Sequence, residues 1–111
     1  MTLEQKSALL ERLALAQQAR ELLTYRQLID ALQLATPSMR RLTHALESLA
    51  AWDAQQGRPL RSVLVVSQRA PALPREGFFE YLKHNGLLGE HVDTALWHAQ
   101  ECERVYQFNN D

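Results

Sequence analysis

Residues 24–79 read TYRQLIDALQLATPSMRRLTHALESLAAWDAQQGRPLRSVLVVSQRAPALPREGFF. Two helical segments, 25–34 and 37–56, abut here across a two-residue break. Thr24 opens the first. Its hydroxyl is placed to take a free backbone N–H, and Gln27, three residues on, to return the favour to the Thr24 N–H. Leu28, Ile29, Leu32 and Leu34 supply its buried side. Thr36-Pro37 opens the second segment: Thr caps, and Pro takes the first helical position, where its missing N–H costs nothing. Pro37 also disfavours a helical Thr36, which breaks the preceding helix there. Met39, Leu42, Leu46, Leu49 and Ala50 form a stripe at helical spacing, and Arg40, Arg41, His44, Glu47 and Ser48 project from the opposite side. Gly57 supplies the stop, with Pro59 two residues on.

Working outward, residues 60–67 include Val63-Leu64-Val65-Val66, a β-branched run that reads as a buried strand. Pro71 and Pro74 keep 68–76 a loop. A helix is expected over 77–85, apolar at Phe78, Phe79, Tyr81 and Leu82, with Asn85-Gly86 as its left-handed stop. The last helix is expected over about 90–107, its inner face made by Val92, Ala95, Leu96, Ala99, Cys102 and Tyr106. At the other end, Thr2 with Gln5 forms a capping box. Leu3, Leu10, Leu13 and Ala14 then share a face, with Leu9 at its border. Helix, tight turn, helix, strand, loop is the order of a winged helix-turn-helix. The expected fold is therefore mainly α with a small β element: a single winged helix-turn-helix-like domain over 1–111 with an additional C-terminal helix. The lone strand needs a partner for its backbone donors. Leu22-Leu23, the loop after the strand, or the same strand of a second subunit are the choices, and the last would make a homodimer.

Composition bounds the classes. A hydrophobic content of 46% with 23% charged is ordinary for a globular domain, and 111 residues suffice to bury a core. The single cysteine, Cys102, leaves no internal disulfide, and a reducing, cytoplasmic setting is the plain expectation. The first residues lack the basic and then apolar pattern of a secretory signal. No apolar run approaches the ~20 residues that span a bilayer, so no membrane partner is expected. The net charge of −1 hides a segregation. Residues 24–75 carry seven Lys or Arg against three Asp or Glu, a net +4, and residues 76–111 carry two against seven, a net −5. Blocks of sign like these suggest oriented partners, or attraction between the two halves.

The outward face of the third helix is the best candidate site. Ser38, Arg40, Arg41 and His44 cluster in its first two turns, where a recognition helix contacts base edges and Arg reads guanine through paired hydrogen bonds. Arg69 and Arg75 in the following loop could hold phosphates, as a wing would. The expected partner is double-stranded DNA. The competing reading is a protein-interaction module or homodimeric adaptor whose acidic last helix meets a basic partner or an associated nuclease-type domain, with the outward residues of the third helix a solvated face and Glu47 repelling phosphate. A continuous positive face joining the third helix to the 68–76 loop would favour DNA; a neutral face with exposed Trp52 or Trp97 would favour a protein. Both tryptophans fall off the assigned stripes, and packing on a neighbouring helix is their expected place.

Other chemistry is thin. His98 and Cys102 are an i, i+4 pair that zinc accepts, with His84 as a conceivable partner, but there is no CxxC or HExxH, and a buried Cys beside a partly buried His is the commoner case. Cys102 lies between Glu101 and Glu103, which suppress a thiolate. The four glycines are dispersed and form no phosphate loop. Glu76 and Glu80 suit a helix start electrostatically. No catalytic residue, cofactor, metal or small-molecule substrate is expected.

Two resemblances bear on this. The stretches Gly57-Arg58-Pro59-Leu60-Arg61-Ser62-Val63-Leu64-Val65-Val66 and Leu73-Pro74-Arg75-Glu76-Gly77-Phe78-Phe79 resemble a small bacterial and phage-associated domain. That domain carries a "PPL-x-x-LVVN" strand, a "GLPGEGF" turn and a final "E-x-x-VF-x-F", read here as Glu103-Arg104-Val105-Tyr106-Gln107-Phe108. Thr24-Tyr25-Arg26-Gln27-Leu28 is similar to its "TY-x-x-LA" helix start. The resemblance covers about residues 24–108 and implies a fold and a bacterial setting, not a reaction. Arg69-Ala70-Pro71 replaces a Gly-containing stretch, which implies a differently shaped wing. The order of elements is also similar to the DNA-binding domain of the alkylguanine-DNA alkyltransferases. Their reactive "PCHR" strand end is replaced here by Val65-Val66-Ser67-Gln68, so alkyl transfer is not carried over.

Overall fold

The computed structural model describes residues 1–108. Its elements are α1 (Leu3–Ala19), β1 (Leu23–Thr24), α2 (Tyr25–Leu32), α3 (Ser38–Gln55), a 3-10 turn (Arg61–Leu64), β2 (Val65–Val66), α4 (Glu76–His84) and α5 (Thr94–Gln107). The chain is mainly helical, and β1 pairs with β2 in a small parallel sheet, Leu23 opposite Val65 and Thr24 opposite Val66. Of the three choices, the strand's partner is thus the segment just before α2, one residue along from Leu22-Leu23.

Both capping boxes form. The Gln5 N–H donates to the Thr2 hydroxyl at 3.0 Å, and the Thr2 N–H donates to Gln5 Oε1 at 2.9 Å. Thr24 and Gln27 repeat the arrangement at 3.1 and 2.8 Å. Gly57 and Gly86 adopt φ of +69° and +72°, the left-handed turns that only glycine makes without strain. The α2–α3 junction differs from expectation. Gln33, at φ +52°, ends α2 two residues early, and α3 begins at Ser38 after Pro37 with no side-chain cap, so the break spans residues 33–37 and Thr36 does not cap.

Most of the expected strand over 60–67 is the 3-10 turn, and the reason lies in how its polar groups are satisfied. Asp53 accepts the Arg61 N–H at 3.1 Å and grips its guanidinium at 2.7 Å. Ser62 donates its hydroxyl to the Leu46 carbonyl at 2.7 Å, and Glu101 accepts the Leu60 N–H at 2.9 Å. His98 Nε2 lies 2.8 Å from the Val63 carbonyl. Side chains from α3 and α5 do what a ladder would do, so only two residues remain to pair as strand. The turn is the hub of the core. Helices α1, α3 and α5 all pack against it, and Val63 and Leu64 have no solvent exposure.

Two helices present a different face from the one their apolar spacing suggests. Helix α1 buries Leu9, Leu13 and Ala16, while Leu3 and Leu10 stay exposed. Gln5 and Gln17 belong to the inner stripe: they donate to the Leu32 and Val105 carbonyls at 3.2 and 2.8 Å. Helix α5 starts at Thr94 under an Asp93 cap and buries His98, Glu101, Cys102 and Val105, leaving Val92, Ala95, Leu96 and Ala99 outside. Polar residues on an inner face are invisible to a hydrophobic count, and both errors have this cause.

Candidate interaction surface

Helix α3 carries the candidate residues, and its 100° step per residue separates them. Residues 40, 43 and 47 share one flank; residues 41, 44, 45, 48 and 52 share the other. On the first flank a cleft of about 350 Å³ lies between α3 and the starts of α2 and α4, with Arg40, Glu47 and Arg75 among its walls. Tyr25 helps shape it. Its hydroxyl accepts the Arg75 N–H at 2.9 Å, and burial raises its pKa. That bond ties the end of the 68–76 loop to the start of α2 and brings Arg75 to the same cleft as Arg40. Glu47 adds a carboxylate to the wall of the same cleft.

On the second flank α1 and α3, both resting on the 3-10 turn, leave a wider groove of about 700 Å³. Met1, Leu9, Leu10, Ala45, Leu49 and Trp52 give it an apolar lining, and Lys6, Arg41, His44 and Ser48 add polar groups. Among the described residues no carboxylate lines it. Trp52 is 55% exposed rather than packed on a neighbouring helix. Trp97 does pack, edge-on to Phe79 with ring centroids 6.4 Å apart.

The sequence-derived constellation is therefore divided. Arg40 and Arg75 share the cleft; Arg41 and His44 face the groove; Ser38 is half-buried at the start of α3; Arg69 is exposed in the loop and lines neither. Positive charge is further reduced at Arg61, whose guanidinium is held by the fully buried Asp53. The groove itself was the feature that helical spacing alone did not reveal. Its one signal was the position of Trp52 eleven residues beyond Arg41, on the same flank.

The His98–Cys102 pair is buried in the core. Cys102 Sγ lies 3.3 Å from His98 Nε2. A carbonyl only accepts, so Nε2 must carry the proton it shares with Val63 and has no lone pair to take the thiol's. Burial, helped by Glu101 and Glu103, pushes the thiol pKa up to about 11, so it stays protonated near neutral pH. Among the described residues no three His, Cys, Asp or Glu side chains gather as a metal site, and no helix is long and apolar enough to cross a membrane.

Burial lowers the His98 pKa below its ordinary 6.5. The unfolded chain then binds this proton more readily than the folded one, so the contribution is full above pH 6.5 and is lost as pH falls below it toward the folded value. Urea midpoints measured from about pH 7 down to 5 are expected to fall, and His98→Gln to flatten that slope. An unchanged slope in the variant would remove His98 as its source. Comparison of the chain with family models, curated proteins and solved structures returns no match.

Proposed function

We infer that this chain is a non-enzymatic protein-interaction module whose docking surface is the groove between α1 and α3. One observation carries the reading: a tryptophan more than half exposed at the end of an open apolar groove. Taking a Trp out of water against a partner is among the largest single gains an interface offers. Monomeric domains seldom leave such a surface uncovered without a use for it. A cytoplasmic setting accords with the lone buried cysteine.

Duplex DNA is the second reading, and Arg40 and Arg75 on one cleft are what favour it. The order α2, α3, β2, loop supports a winged helix-turn-helix as the finer fold. Against DNA stand the separation of Arg41 and His44 from that cleft and the carboxylate of Glu47 within it. Titration of a mixed-sequence duplex at low and moderate salt discriminates. A phosphate-tracking protein loses orders of magnitude in affinity over that range. The protein-docking reading expects weak binding with little dependence on Arg40 and Arg41. Tight, salt-steep binding abolished by Arg40→Ala with Arg41→Ala would replace it with the DNA reading.

A further inference from the structure

We propose that the occupant of the α1–α3 groove is an amphipathic helix of a partner protein, apolar on one side and flanked by carboxylates. The proposal rests on the groove being a docking surface and adds the chemistry of what fills it.

Shape argues for a helix. On α3 the groove runs from Arg41 to Trp52, and at 1.5 Å per residue that distance is about 16 Å, or three helical turns. Two helices form its sides, and Leu10, Ala45 and Leu49 offer the apolar surface into which i, i+3, i+4, i+7 side chains of a third helix fit. Charge sets the sign. Lys6 reaches the groove from α1 and Arg41 from the first turn of α3, with no Asp or Glu among the described lining residues to answer them. Among the described residues no carboxylate pairs with Arg41, unlike Arg61 on Asp53 or Arg104 on Glu101. A basic helix would set like charges against this rim, whereas an acidic one would pair with it.

A second copy docking groove to groove is disfavoured by the same charges. An isologous contact sets a patch against itself, so Lys6 and Arg41 would meet cations.

Trp52 reports the event directly. With Trp97→Phe it becomes the single tryptophan of the chain, since there are two in all. The probe is a designed amphipathic peptide of about 14 residues, ~21 Å as a helix, with leucines at i, i+3, i+4 and i+7 and glutamates on its flanks. Its counterpart has lysine at every glutamate. The acidic peptide is expected to blue-shift Trp52 emission and to bind about fivefold or more tighter than the basic one, the range that a few rim charges supply. Lys6→Glu with Arg41→Glu, both at exposed positions, should invert the preference without altering the circular dichroism or melting temperature.

Equal binding of both peptides would overturn the acidic partner and leave the groove a docking surface. No shift with either would overturn both. A mass that rises with concentration in light scattering and reverts in Lys6→Glu with Arg41→Glu would overturn the proposal by making a second copy the occupant.

Discussion

Asp53→Ala is expected to lower the free energy of unfolding by about 3–5 kcal/mol, the cost of leaving a buried charge without its partner. Asp53 has no solvent exposure, and both its oxygens are engaged by the Arg61 backbone and side chain. The Arg61 side chain is only 17% exposed, so its guanidinium cannot swing out to water without leaving the core. Net stability of a domain this size is about 5–15 kcal/mol, so the loss is a large fraction of the whole. Asp53→Asn keeps an acceptor for the Arg61 N–H and should lose less. Replacing the pair together, Asp53→Leu with Arg61→Met, should cost less than Asp53→Ala alone, because no charge is then stranded. Urea unfolding followed by circular dichroism measures all three. A loss under about 1 kcal/mol for Asp53→Ala would place the pair in the class of surface ion pairs. The consequence reaches function through packing: the 3-10 turn that Asp53 holds is the floor on which α1 and α3 rest.

The sequence declared its helices through their ends. Thr2 with Gln5, Thr24 with Gln27, Gly57 and Gly86 occupy the positions their chemistry suits, because caps are local and need no knowledge of the fold. The faces of α1 and α5 were not legible. Gln5, Gln17, His98 and Glu101 point inward to satisfy backbone groups of distant segments, and that need arises only once the segments have met. The 60–67 stretch failed as a strand for the same reason. Its β-branched run is real, but Asp53, Glu101 and His98 supply the bonds a strand would take from a neighbour. At the candidate site, Arg40, Arg41 and His44 were rightly placed on the exposed side of α3. What the linear pattern could not show is that this side is two flanks, and that α1 makes a groove of one of them. Asp53 counts among the three acids of residues 24–75, and nothing in the linear pattern marks it as the fully buried charge it is.

Trp52→Glu bears most directly on the docking surface. Trp52 is 55% exposed, so the substitution removes under half of a buried aromatic side chain and should cost about 1 kcal/mol of stability. Against a partner seated in the groove it removes the largest apolar contact and adds a carboxylate to a lining that has none. A tryptophan buried on binding is worth about 2 kcal/mol or more at an interface, roughly thirtyfold in affinity. The decisive measurement is retention of proteins from a cell lysate, with and without nuclease treatment, by the wild-type chain, by Trp52→Glu, and by Arg40→Ala with Arg41→Ala. The groove account predicts that Trp52→Glu loses by about thirtyfold a set of proteins the wild type holds, and that the arginine variant loses far less. Retention that survives Trp52→Glu, or that disappears with the nuclease treatment, would contradict it.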